Sequence, residues 1–281
     1  MGVKFQNIKF DLDKLPTMPL VAAQMMELIN APETSAAALA KVVSKDPAVS
    51  ARVLKIANSS FYSMSRQVSS LSTAIVILGE KTLKNLVLAA SMRSMNQTFG
   101  KIEQMLWEDS MVCALGSRYL ARKLGVADPE EAFMAGLFRH IGLVVLNNQE
   151  SKAADFIIKS MESGKQSMAE EERELFGATH AEIGAAVLES WKLSEVLSLV
   201  ALHHSDVTLD DGADSSAINL TSVVNIAGLL PGYFGIYGGQ HKSNLEKSPG
   251  RKLLALDLQR TEKIIEEFHS IFEENRNDFL S

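Results

Sequence analysis

Six histidines are the residues of this chain best suited to chemistry, and all lie beyond residue 139: His140, His180, the adjacent His203 and His204, His241 and His269. A neutral imidazole can donate a lone pair to a metal and can exchange a proton near neutral pH. His140 closes the run Ala135-Gly136-Leu137-Phe138-Arg139-His140, and His180, His203 and His204 follow on later helical segments. Three chemistries suit such a set. The rings could hold a divalent ion, could simply hydrogen-bond inside a closed pocket, or could join Arg139 in taking an anion, since a guanidinium fork matches phosphate geometry. Neighbouring residues on a helix diverge by about 100°, so His203 and His204 are expected to send at most one ring into a shared pocket. Competing signatures are missing: there is no Gly-x-x-x-x-Gly-Lys cradle, no Gly-x-Ser-x-Gly elbow and no His-Glu-x-x-His. Asp210-Asp211-Gly212-Ala213-Asp214 lacks the oxygen spacing and closing Glu of a calcium loop and reads as a solvated turn.

The elements that must position these residues read as helices throughout, because helical spacing and helix punctuation recur while strand alternation is almost absent. Pro16 and Pro19 precede a first helix through Val21, Met25, Leu28 and Ile29, ending at Asn30-Ala31-Pro32. Thr34 or Ser35 caps a second with Leu39, Val42 and Val43 inward, and Asp46-Pro47 starts a third. Asn58–Ser70 reads as a loop. Ser70 caps a helix closed by Gly79, and another follows through Leu83, Leu86, Val87 and Ala90, making five helices in the first part. The second part opens with a helix around Trp107 that stops at Gly125. One long helix, apolar nearly all round, is expected from Pro129 to about Asn147. Helices at Ala153–Met161, Glu170–Leu175, His180–Trp191, Ser194–His204 and Ala217–Leu230 complete the series. Pro231–Gly239 is too glycine-rich for helix and reads as a flap. A final helix, about Gly250–Glu274, lines up Leu254, Leu258, Ile265, Phe268 and Phe272 as a stripe that docks on the fold or forms a dimer surface.

Composition sets the outer limits. The 281 residues are 46% hydrophobic and 22% charged with a net charge of −6, a globular composition that excludes disordered and fibrous classes. No apolar run approaches the roughly 18 residues of a membrane span. Residues 1–20 lack the apolar core of a signal peptide, and Gln6 stands where a myristoylation signal wants Ser or Thr. Cys113 is the single cysteine, so no internal disulfide forms and a reducing, cytoplasmic setting is expected. Residues 1–98 carry 11 Lys+Arg against 6 Asp+Glu, whereas 99–281 carry 17 against 28. That asymmetry suits two mutually attracting parts more than a nucleic-acid surface, for which a concentrated basic stripe is missing. The 12 methionines read as core filling.

Several ordered blocks resemble the HDOD family, a bacterial signalling branch of the HD-domain superfamily, over roughly residues 13–240. They are Leu15-Pro16-Thr17-Met18-Pro19, Ser44-Lys45-Asp46-Pro47-Ala48-Val49 with Arg52 to Ser59, Val68-Ser69-Ser70-Leu71, Ala74 to Gly79 with Leu83-Lys84-Asn85-Leu86, Ala132 to Leu137, His180 to Ala185, and His203-His204. The resemblance implies a superfamily centre in which a His-Asp dyad, further histidines and a late Asp hold divalent metal for phosphate-ester hydrolysis. Aligned on these blocks, the dyad is gone: Arg139 stands at the His position and His140 at the Asp position. Arginine has no lone pair to offer a metal. Leu143 replaces a frequent Lys, Gly228 falls where the late Asp would be, and Trp107 to Ser110 contains no histidine.

The reading is therefore an all-α protein of about a dozen helices: residues 1–98 a five-helix subdomain, 99–240 a degenerate HD-like helical subdomain, and 241–281 a C-terminal helix. Arg139, His140, His180, Glu182, His203 and His204 are the candidates for a vestigial pocket. Arg139 is expected to fill the place of the lost cation and pair with a carboxylate, Glu182 being one possible partner. No catalytic residue, cofactor or metal is expected; a metal, if held, would use His140, His180 and His203 or His204. The resemblance implies a non-catalytic regulatory output protein working through a protein partner in a bacterial signalling pathway, with an anionic small ligand possible and no membrane partner. HDOD domains are often joined to receiver or cyclic-dinucleotide domains; none is seen in these residues, so input is expected in trans. Two alternatives stand beside this, a metal-dependent phosphohydrolase with a rearranged site and a nucleotide-binding sensor.

Overall fold

Side-chain caps set several of the helix starts. Ser35, Asp46, Ser70, Asp128, Thr179 and Asp214 each accept a hydrogen bond from a backbone N–H in the first turn of the helix that follows. The computed structural model describes residues 11, 13, 15–29, 35–62, 68–95, 100–150, 152–163, 168–210, 212–238 and 243–280. Among them are sixteen α-helices and no strand, so the fold is all-α. Met1–Phe10 with Gly2 and Gln6, the Asn30-Ala31-Pro32 helix end, Thr34, the 63–67 stretch of the expected loop, Asp211, Gly239 and His241 lie outside the described residues. No described helix is long and apolar enough to cross a membrane.

The chain forms two compact units, one of Met1–Thr17 with Thr98–Phe268 and one of Met18–Gln97 with His269–Ser281. In the smaller unit α1 (Leu20–Ile29), α2 (Ala36–Val43) and α3 (Pro47–Ala57) pack on α4 (Leu71–Met92). Met25, Leu39, Val43, Val53, Ile56, Leu83 and Leu86 are fully buried there. Gly79 divides α4 with φ +81°, a conformation that costs an L-residue strain, so the two helices expected around it are two arms of one kinked element. Arg52 Nη1 donates to the Ala90 carbonyl and ties α3 to the second arm.

The larger unit is built on α5 (Lys101–Leu124), which ends at Gly125 in the left-handed conformation. Around it lie α6 (Pro129–Phe138), α7 (Ile141–Gln149), α8 (Ala153–Ser163), α9 (Ala169–Phe176), α10 (His180–Ser190), α11 (Glu195–His203) and α12 (Ser215–Ala227). The short α13 (Leu230–Tyr233), α14 (Ser243–Lys247) and α15 (Pro249–Leu253) precede α16 (Leu258–Leu280), whose residues up to Phe268 belong to this unit. Trp191 Nε1 donates to the Pro16 carbonyl.

Three expectations about elements are corrected. The long helix from Pro129 is broken: α6 stops at Phe138 and α7 starts at Ile141, with Arg139-His140 between them. The 231–239 flap begins as α13, with Pro231 at its first turn and Leu230, Pro231, Gly232 and Tyr233 buried. Proline is compatible with a helix start because its missing N–H has no partner to lose there. The final helix is interrupted around Leu254–Asp257, with Ala255 at φ +50°, and then runs to Leu280. These short pieces raise the helix number above a dozen.

Candidate functional site

The break between α6 and α7 makes the site. Arg139 and His140 both lie in the turn and both are buried, 2% and 8% exposed. The close seating of α7 on α10 depends on Gly142, where a Cβ would stand 1.9 Å from the His180 carbonyl oxygen. No other residue type fits at that approach.

Asp109 of α5, with no exposed surface, receives the turn. Arg139 Nη2 donates to both of its oxygens, at 2.7 and 2.8 Å, and His140 Nδ1 donates to Oδ2 at 2.8 Å. The Tyr237 hydroxyl donates to Oδ1. An ionised carboxylate has about four lone-pair sites, and here all are taken. Arg139 Nη1 also contacts both ring nitrogens of His140, while its buried Nε has no hydrogen-bond partner among the described residues. The guanidinium passes beside Gly228, whose added Cβ would be 3.5 Å from it.

His180 opens α10 and projects toward His140 and His204, with ring centroids 5.1 and 5.3 Å away. Its Nδ1 bonds to Glu172, a fully buried carboxylate of α9 that also accepts the His180 backbone N–H. A carboxylate only accepts, so the proton sits on Nδ1 and Nε2 faces inward. His204, just past α11, donates Nδ1–H to the Ala201 carbonyl at 2.8 Å. Its own carbonyl is held by Asn225 Nδ2, and Asn225 Oδ1 accepts from Ser248 Oγ and the Gly250 N–H. His180 Nε2 and His204 Nε2 stand 3.4 Å apart. A cavity of about 110 Å³ opens onto this cluster, lined by Arg139, His140, His180, His204, Asn225 and Tyr237 among others.

Burial and the neighbouring charges fix the protonation states. Burial alone pushes the Asp109 carboxyl up, but Arg139 and His140 outweigh it and hold it well below the usual carboxylate range. Burial opposes the Arg139 charge as well, and Asp109 more than restores it, so the guanidinium stays protonated. His140 is pulled down to about 3 by burial and by the Arg139 charge. Burial, then the adjacent His140 and His180, drive His204 well below its ordinary value. His140 and His204 are therefore neutral at pH 7.

Of the six sequence candidates, Arg139, His140, His180 and His204 come together. His203 does not: it is half-buried on the other side of α11, 3.5 Å from the Thr208 hydroxyl. Glu182 is also elsewhere. Its carboxylate closes the Thr179 capping box and pairs with Arg173 at 2.8 Å, which corrects its expected pairing with Arg139; Asp109 takes that role. His269 lies half-exposed near Glu273. Sequence reasoning missed Asp109, Glu172 and Tyr237. A signal for Asp109 existed, since it sits three residues after Leu106 and four before Cys113 on the inward face of α5. Glu172 lies in Glu170-Glu171-Glu172, which reads as solvated, and Tyr237 in a glycine-rich stretch; neither carries a local cue.

The HD dyad's paired metals do not fit these residues. Among the described residues the carboxylate that meets this turn, Asp109, is saturated by protein donors, and a guanidinium stands in the dyad's histidine position. The fold and site thus define an all-helical HD-like module with a buried Arg139–Asp109 ion pair at the turn between α6 and α7. The chain belongs to the HDOD domain family, which matches residues 15–207. It is similar to an HDOD domain protein of Geobacter sulfurreducens (23% identity, 96% of this chain and 93% of that one, TM-score 0.75). A candidate phosphohydrolase of Shewanella amazonensis is 25% identical over 95% of this chain and 96% of its own, with TM-score 0.73. A candidate signal transduction protein of Marinobacter aquaeolei gives 22% identity and TM-score 0.70, over 98% of this chain and 62% of its own. An uncharacterized Treponema pallidum protein is 25% identical over 203 residues, of which this chain spans only 38% of the length.

Proposed function

We propose that the protein is a non-catalytic regulatory output module that passes a signal by contact with another protein or by binding a small ligand in the pocket. The observation that supports this reading is the Arg139–Asp109 pair. Hydrolysis at the superfamily's metal pair, as the resemblance implies it, uses a carboxylate with lone pairs free to bridge the ions. Asp109 has none to give, because its oxygens are committed to Arg139, His140 and Tyr237. An anion finds little net attraction either, since the guanidinium is neutralised by Asp109, and His140 and His204 are uncharged at neutral pH.

The phosphohydrolase reading is favoured by the description of the Shewanella protein that is 25% identical to this chain. A panel of phosphate mono- and diesters, assayed with untagged full-length protein in magnesium, manganese and zinc, separates the two. The expected outcome is no turnover above the protein-free control. Turnover that disappears in His180→Ala would establish a hydrolase and end the non-catalytic reading.

A further inference from the structure

The residues that refuse the dyad's metal pair are arranged to accept something else. We infer that His140, His180 and His204 together bind a single divalent ion of the zinc class, at a site whose protein ligands are all imidazole nitrogens. Their ligand atoms all lie within 4.8 Å of one another. Two nitrogens at about 2.0–2.1 Å from one tetrahedral ion are separated by about 3.3–3.4 Å. His180 Nε2 and His204 Nε2 are 3.4 Å apart, so one edge of the coordination polyhedron is already set.

The second shell follows the same logic. In protein zinc sites the ligating imidazole passes its other N–H to a carboxylate or a backbone carbonyl, which fixes ring orientation and raises basicity. Each of the three rings does so: His140 Nδ1 to Asp109, His180 Nδ1 to Glu172, and His204 Nδ1 to the Ala201 carbonyl. The two buried carboxylates oppose Arg139 and the incoming ion. The cavity leaves room for a solvent molecule as fourth ligand. Arg139 Nη1 lies against His140 and gives up that contact when the ion binds, while Nη2 keeps Asp109. Imidazole ligands favour zinc, cobalt, nickel and copper; magnesium and manganese prefer oxygen. The ion would act as a regulatory ligand of the module proposed above.

Cobalt(II) titration of chelator-treated, untagged full-length protein tests this. The expected result is one equivalent of cobalt bound with the intense visible absorption of a tetrahedral site, bleached by one equivalent of zinc and untouched by magnesium. His180→Ala and His204→Ala should each weaken binding at least tenfold, whereas His203→Ala, one residue away but facing outward, should leave it unchanged. If an alanine variant fails to fold by circular dichroism, His180→Gln, which keeps a polar head toward Glu172, carries the same expectation. The inference is overturned by absence of a stoichiometric cobalt band, by an octahedral spectrum, or by a band that survives both substitutions. Cobalt binding without ester hydrolysis supports both readings. No band with no hydrolysis removes only the metal site, and hydrolysis removes only the non-catalytic reading.

Discussion

At the scale of single residues, the pocket is a problem in buried charge. Arg139 and Asp109 are 3% and 0% exposed as side chains, and each makes the other tolerable. Removing one partner of such a pair leaves an uncompensated charge and costs about 3–5 kcal/mol, while replacing both can be nearly neutral. Asp109→Asn should therefore lower the urea midpoint strongly, and Arg139→Met with Asp109→Asn should recover much of the loss. Equal losses in single and double variants would show that the pair is not coupled. The histidines add a pH dependence. A ring whose folded value is about 3 stays neutral while the unfolded ring takes a proton near pH 6.5. The unfolded state then binds more protons, so stability is fully present above about pH 6.5 and declines as pH falls toward 3. Urea titrations of metal-free protein between pH 8 and 4 should show that decline. The arginine and histidines were legible in the sequence because ligand chemistry marks them. Asp109 was marked only by its spacing from Leu106 and Cys113 on the inward face of α5, and Glu172 by nothing, because in a run of acids a buried one and a solvated one look alike until the partner is located.

At the scale of elements, the break at Arg139-His140 matters most. Caps and glycine stops were legible because each is a local chemical event: Asp128 accepts from Glu130 and Glu131 N–H, and Gly125 ends α5. The break was hidden because the segment from Ala132 to Leu146 is buried nearly throughout, and a helix apolar on every side has no phase whose interruption can be seen. Gly142 is the point where the consequence can be measured. An alanine there would collide with the His180 carbonyl and the Gly184 backbone nitrogen, 2.9 Å away, and backbone cannot move aside as a side-chain tip can. Gly142→Ala should lower the melting temperature by several degrees or more, as overpacking by a methyl costs about 1–3 kcal/mol. Gly184→Ala, whose Cβ would meet nothing closer than 3.3 Å, should be much milder. Similar melting temperatures for the two variants would contradict this account of how α7 meets α10.

At the scale of the whole molecule, the smaller unit is discontinuous: residues 18–97 are completed by 269–281. Local periodicity predicts a terminal helix, yet it says nothing about which distant segment that helix completes, so this association was beyond the sequence. The physical link is specific. Phe272 and Phe279 of α16 are buried at 0% and 1% exposure, Phe61 packs edge-on to Phe279 at 5.7 Å, and Asn275 Oδ1 accepts the Phe61 N–H. Losing one fully buried phenylalanine costs about 3–5 kcal/mol, a large part of the stability of a typical domain. Phe272→Ala should therefore raise the hydrogen-exchange rates of the α4 amides, since those are the hydrogen bonds of the unit whose core it opens. Truncation after Phe268 should raise them further, because it removes Phe279 and the Asn275 bond as well. Unchanged α4 protection in both variants would mean that residues 18–97 close their own core and that the end of α16 is dispensable to it.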